Sequence, residues 1–235
     1  MRHAAALLLS IALCGCSNTR SELDLRCGPG DAPIVRSDAR VVVIRSVTDE
    51  RVFGRSPSAP NTPSLGFPGT AKSSDEVKAR AIGRKRGADG LDSGDVVLQR
   101  GQTVAQTVRE NIAQAFGEAG YDVRTGADAG PGATFVDVHI KRFWTWFDPG
   151  YRTVTMHADI GAELDLSSGN SPISVDVRTA ASALAATDRA WLHVANQGLA
   201  DFRAQAAKLM AARGRPVRGR GCIVEDPTPQ PLPSS

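Results

Sequence analysis

The sequence predicts an α+β domain: a mainly antiparallel sheet with a three-stranded meander, and two amphipathic helices packed on one face. Three observations predict it. Residues 133–166 alternate apolar and polar positions longer than any other stretch, which is the period of a strand with one dry face and one wet face. Residues 103–119 and 188–212 each carry an apolar stripe at helical spacing. The order strand, long loop, strand, helix, meander, helix places both helices against one side of the sheet.

The alternating stretch reads as a hairpin. Val154, Met156, Ala158, Ile160, Ala162, Leu164 and Leu166 share one parity, as do Val136, Val138 and Ile140 before them. Asp148-Pro149-Gly150 separates the halves, a turn in which proline presets φ and glycine accepts φ > 0. Pairing symmetric about Pro149 would set His139 opposite Asp159 and Lys141 opposite His157. Ser167 to Asn170 turns the chain into a third strand, Ile173 to about Ala185, whose apolar positions are odd-numbered. That turn must therefore pair even with odd positions if the strands share a dry face.

Earlier elements follow from shorter signals. Val41 to Ile44 is a β-branched run of strand length, ending in Arg45 to Arg51, where Asp49 and Arg51 can form a local pair. Residues 54–75 hold four prolines with Ser, Gly and Asn, a long surface loop. Glu76 to Ile82 fits helix or strand, and Val96 to Leu98 a short strand. The helix from Thr103 to Ala119 turns Val104, Val108, Ile112, Ala115 and Phe116 inward and stops at Gly120. The closing helix, Asp188 to Ala212, presents Trp191, Val194, Ala195, Leu199, Phe202, Ala206, Leu209 and Met210.

Composition bounds the function. At 235 residues, 41% hydrophobic and 23% charged, the chain supports one globular domain, and a net charge of +3 is too small to imply a nucleic-acid partner. The start is different in kind: Arg2 precedes the ten-residue stretch Ala4 to Leu13, too short to span a bilayer core of about 20 helical residues. Leu13-Cys14-Gly15-Cys16 resembles a bacterial lipobox. That resemblance implies cleavage before Cys16, lipid on its thiol and an acylated amino terminus, a membrane anchor by multiple acyl chains. Ser17, where aspartate would signal inner-membrane retention, implies the outer membrane and its periplasmic face.

The expected organisation is then a signal peptide at 1–15, lipidated Cys16 with a tether to 38, one domain over 39–213, and a basic and Pro-rich extension over 214–235. Cys27 and Cys222 remain in an oxidising compartment and are expected to pair, the alternative being two unrelated thiols. Such a bridge closes nearly the whole domain, worth roughly 5 kcal/mol in the chain-entropy model.

Candidate chemistry falls in three places. Phe143, Trp144, Trp146, Phe147 and Tyr151 crowd the hairpin tip on both parities, flanked by Arg142 and Arg152. One helix layer cannot bury both parities, so part of the cluster is expected to form a binding surface; the bland reading is a cap against the Pro-rich loop. The wet face carries His139, Lys141, His157, Asp159, Glu163, Asp176 and Arg178. His139, His157 and Asp159 are the residue types of an open zinc site, whereas cross-strand charge pairs worth roughly 0.2–1 kcal/mol each explain the same residues without metal. No metal or other cofactor is assigned. The basic groups Arg84, Lys85 and Arg86, and Arg213, Arg215, Arg218 and Arg220, suit anionic lipid or lipopolysaccharide phosphates. GxSxG, SxxK and phosphate-loop motifs are absent, so enzyme activity is not expected.

The strand ending in Asp49-Glu50-Arg51, the helix closed by Gly120-Tyr121-Asp122-Val123, the hairpin with Tyr151 after its turn and the amphipathic last helix together resemble the YajG-like family of uncharacterised bacterial lipoproteins. The resemblance spans roughly residues 1–212 and implies outer-membrane lipidation with no catalytic residue. It departs at the Pro-rich insertion and at the extension bearing Cys222. The leading expectation is an outer-membrane-anchored periplasmic lipoprotein, a non-enzymatic binding or assembly module for an unidentified envelope protein. The alternatives are a cell-wall glycan-binding lipoprotein and a metal-dependent hydrolase.

Overall fold

The computed structural model describes residues 20–25, 39–55, 59–66, 68–87, 92–169 and 171–214. The lipobox, Cys16, Cys27 and Cys222 lie outside them. The strands are β1 (Ser21–Leu23), β2 (Val41–Asp49), β3 (Ala81–Arg86), β4 (Asp92–Leu98), β5 (Asp122–Val123), β6 (Thr134–Pro149), β7 (Val154–Leu166) and β8 (Ile173–Ala183). The helices are α1 (Asp75–Arg80), α2 (Val104–Glu118) and α3 (Asp188–Gly214).

All eight strands form one mixed sheet, which corrects the mainly antiparallel expectation. Four of the seven pairings are parallel: β1 with β4, β2 with β5, β2 with β6 and β3 with β6. Antiparallel pairs join β3 to β4, β6 to β7 and β7 to β8. Tight turns advertise antiparallel neighbours in a sequence, whereas parallel partners are joined by long crossovers that leave no local mark. The 16-residue β6 is the spine. One edge pairs with β7 throughout, and the other meets β2 over its first half and β3 at Thr145.

α2 and α3 cover one face. Val104, Val108, Ile112, Phe116, Trp191, Val194, Phe202 and Met210 are buried there against Val136, Val138, Ile140, Phe143, Met156, Ile160 and Leu164. Thr103 caps α2 by accepting from the Gln106 N–H. At its other end Gly120 adopts φ +86°, and the Tyr121 N–H returns to the Phe116 carbonyl, a glycine-closed helix end. A third helix, α1, begins at the Ser74 cap, at the end of the stretch read as loop, and takes up most of Glu76 to Ile82, which then continues into β3.

A second, smaller core lies on the opposite face at the tip end. Leu65, Ala81, Val97, Trp144 and Trp146 are buried together, with Phe53 and Val77 packed around them. The Pro-rich segment forms this roof: Pro60 accepts a hydrogen bond from Trp144 Nε1 at 3.1 Å, and the Gly66 N–H donates to Asp95 at 2.8 Å. Arg51 ties together the elements beneath the roof. Its guanidinium donates to the Ala81, Phe143 and Lys78 carbonyls at 2.6, 3.1 and 2.9 Å and pairs with Asp49 at 2.7 Å.

Two expected loops are strands. Ser21–Leu23, read as tether, adds a parallel edge to β4 and buries Leu23 and Leu25. Arg84, Lys85 and Arg86, read as a basic lipid-facing run, belong to β3: Arg84 is buried, and Lys85 pairs with Asp188 at 3.1 Å. In the other run, Arg213 closes α3 and donates to the Ser171 carbonyl, while Arg215, Arg218 and Arg220 lie outside the described residues.

Candidate functional site

A β-bulge decides what each half of β6 displays. Ile140 pairs with Ala162, but Arg142 pairs with the adjacent Gly161, so Lys141 is the extra residue. Before it, even-numbered residues face the helices. After it, Phe143, Thr145 and Phe147 do, and Trp144 and Trp146 turn to the opposite face beneath the roof.

The hairpin tip consequently does not present its aromatic rings as the expected binding surface. Phe143 is 0% exposed, Trp144 2% and Trp146 8%; Phe147 is half-buried with its ring edge-on to Trp191. Tyr151 alone of the five is open to solvent, beside exposed Arg152. The bland reading, a cap against the Pro-rich loop, describes Trp144 and Trp146.

Pairing also differs from the symmetric expectation. Pro149 pairs with Val154 around a four-residue turn, so His139 lies opposite Glu163 and His157 opposite Trp146. His157 stacks on the Trp146 ring at 4.9 Å and 13°, with Nε2 3.1 Å from Asp148 but not aligned as a hydrogen bond. His139 Nδ1 sits 2.5 Å from Glu50, and its Nε2 lies 3.4 Å from Asp165. Six residues of strand, about 20 Å, separate the two histidines' positions along β7. Asp159 is engaged by Arg142 and Arg178. His139, His157 and Asp159 are therefore not brought together, and no group of three metal-ligating side chains occurs among the described residues.

What the structure does assemble is an open ionic face on β6, β7 and β8. Arg142 spans three strands, donating to Asp159 at 3.0 Å on β7 and also to Asp176 on β8. Gly161 makes this possible: a Cβ there would stand 2.5 Å from Asp176 Oδ1 and 2.9 Å from Arg142 Nη2. Arg178 reaches Asp159 at 2.9 Å, and Ser174 Oγ donates to Asp176 at 2.7 Å. Towards β2, Lys141 bridges Glu50 at 2.7 Å and Glu163 at 3.3 Å. Hydrogen bonds from Lys141 first, then His139, hold the Glu50 carboxyl below its usual range. Asp137 takes Arg45 and Ser46, and the Arg45 hydrogen bond leads in lowering its pKa to about 2.

No family model matches the chain, and no curated protein matches it. Among solved structures, an uncharacterized protein is similar at a TM-score of 0.38 and 11% identity, over 74% of this chain and 99% of that one. A hemagglutinin homolog from Helicobacter pylori is similar at 0.36 and 9%, over 77% and 91%. Likenesses this weak carry neither fold nor function to this chain.

Sequence reading missed two members of the ionic face. Arg45 lies on β2 and Glu50 just beyond its end, and the parallel pairing of β2 with β6 leaves no local signal. The bulge shows in the residues that pack on the helices, which switch from even to odd between Ile140 and Phe143; in the sequence Trp144 and Trp146 keep the even positions apolar and hide it.

Proposed function

We propose that the protein is a lipid-anchored envelope lipoprotein acting as a non-enzymatic binding or assembly module, with the open face of β6–β8 as its contact surface. The observation that carries this reading is the Arg142 bridge across Gly161. It fixes alternating charges of three strands on a surface that neither α2, α3 nor the roof covers among the described residues, and a fixed charge pattern selects partners by complementarity. The edge of β8 away from β7 pairs with no strand among the described residues, leaving backbone groups beside the same face. The anchor and the outer-membrane, periplasm-facing location rest on the lipobox and on the resemblance to YajG-like lipoproteins.

Glycan stacking loses its support, since Trp144 and Trp146 are buried; the hydrolase reading loses its ligand set. The test is photo-crosslinking in intact cells from a probe replacing Arg178, with a second probe at Ala127 on the loop before β6. A discrete protein adduct from position 178, lost when Arg142→Glu is added, supports the reading. Adducts from position 127 but none from 178 would contradict it.

A further inference from the structure

We infer that the end of the sheet carrying Tyr151 and Leu184 rests in the lipid interface of the membrane that holds the anchor, an orientation fixed by where the N-terminus leaves the sheet. The inference rests on the lipobox reading of Cys16.

The direction of exit follows from strand register. Ser21 pairs with Val96, Val96 with Gly83, and Gly83 with Thr145. Across these three pairings β1 runs opposite to β6, so Arg20 precedes Ser21 on the side of the tip, where it lies 3.6 Å from Asp95. Cys16 lies five residues before Ser21, a span of at most about 18 Å. The tip turn lies six residues beyond Thr145 at Tyr151, a comparable rise at about 3.3 Å per strand residue. Because Ser21–Leu23 is sheet and not tether, no slack remains to hold the domain far from the acyl chains.

The same end exposes apolar side chains. Tyr151 is 101% and Leu184 87% exposed, two of the three large hydrophobic residues left open among the described residues. Both lie at the same end of the sheet, because Val154 pairs with Ala183 at the mouth of the turn. Asp188, which opens α3 four residues after Leu184, accepts from Ser21 at 2.5 Å and pairs with Lys85, tying this corner to the exiting chain. Exposed Arg152 and Arg189 add positive charge, while the nearby acids Asp148 and Asp188 already face His157 and Lys85. A tyrosine, a leucine and two arginines around a short acylated tether match the interfacial region of an anionic bilayer.

Amide hydrogen exchange on the full-length acylated protein tests this, in nanodiscs of phosphatidylethanolamine and phosphatidylglycerol, against soluble Cys16→Ser protein. Amides 150–153 and 184–187 should exchange at least several-fold more slowly in discs, with 124–130 unchanged. The double variant Tyr151→Ser, Leu184→Ser should stay in the discs and lose that protection. Acylated, disc-bound protein with equal exchange at 150–153 and 184–187 would overturn the docking and leave the anchor standing. Intact mass without acyl chains, and no association with discs, would overturn the anchor reading and the docking with it.

Discussion

The two halves of β6 share one strand and one neighbour, β7, yet face different worlds on their outer side. Before Lys141, outward residues Asp137 and His139 meet polar partners: Arg45 and Ser46 on β2, Glu50 just beyond it, and Asp165 on β7. After it, Trp144 and Trp146 are sealed under residues of the Pro-rich segment. One inserted residue makes the difference, because a shift of one exchanges every side chain between faces. The aromatic half, from Trp144 on, is consequently a second core, and the ionic half, which runs through Lys141 to Arg142, is the surface left for partners.

Breaking the aromatic half should have the largest effect. Trp144→Ala removes a fully buried ring and the donor to Pro60, and should lower unfolding free energy by about 3–5 kcal/mol, read by urea titration. Arg51→Ala should follow at roughly 2–4 kcal/mol, since it strands three carbonyls and Asp49. Both variants should open the Pro-rich segment to limited proteolysis; resistance like that of the native chain would argue against the roof.

The ionic half should answer to pH. Asp137 has a folded pKa of about 2, below its ordinary 3.8. On acidification the unfolded chain therefore takes up the proton first, so the Asp137 contribution is complete above about pH 4 and disappears as pH falls to about 2. Asp137→Asn should flatten this part of the stability curve; an unchanged slope would show that the pair with Arg45 contributes nothing. The smallest effect belongs to Arg142→Ala. Its guanidinium is half-exposed, so unfolding free energy should drop by under about 1 kcal/mol, while partner crosslinking from position 178 disappears. A loss of several kcal/mol would make the bridge a structural element first.

Legibility in the sequence followed the range of the interaction. α2 and α3 were visible because one helix face repeats locally, and the Thr103 cap and Gly120 stop are short-range devices. The long β6 and β7 were visible for the same reason, but not their register, since Asp148-Pro149-Gly150 marks a turn without fixing its centre. β3 was hidden because Arg84 and Lys85 stand where a strand normally shows alternation, and β1 because three residues carry no period. Of the candidate site, Lys141, Asp159, Glu163, Asp176 and Arg178 are legible as the wet face of alternating strands, a pattern that by itself means no more than solvated charge pairs. Two-sided parity at the tip suggests exposed rings, but a second roof buries both sides as well as a second helix would.

All three tryptophans, Trp144, Trp146 and Trp191, are at most 8% exposed. The most direct test is acrylamide and iodide quenching of tryptophan fluorescence in the native full chain. The roofed tip predicts quenching far weaker than in the urea-unfolded chain for both quenchers. Iodide quenching of a large share of native emission, removed by Trp146→Phe, would place that ring in solvent and contradict the division of β6.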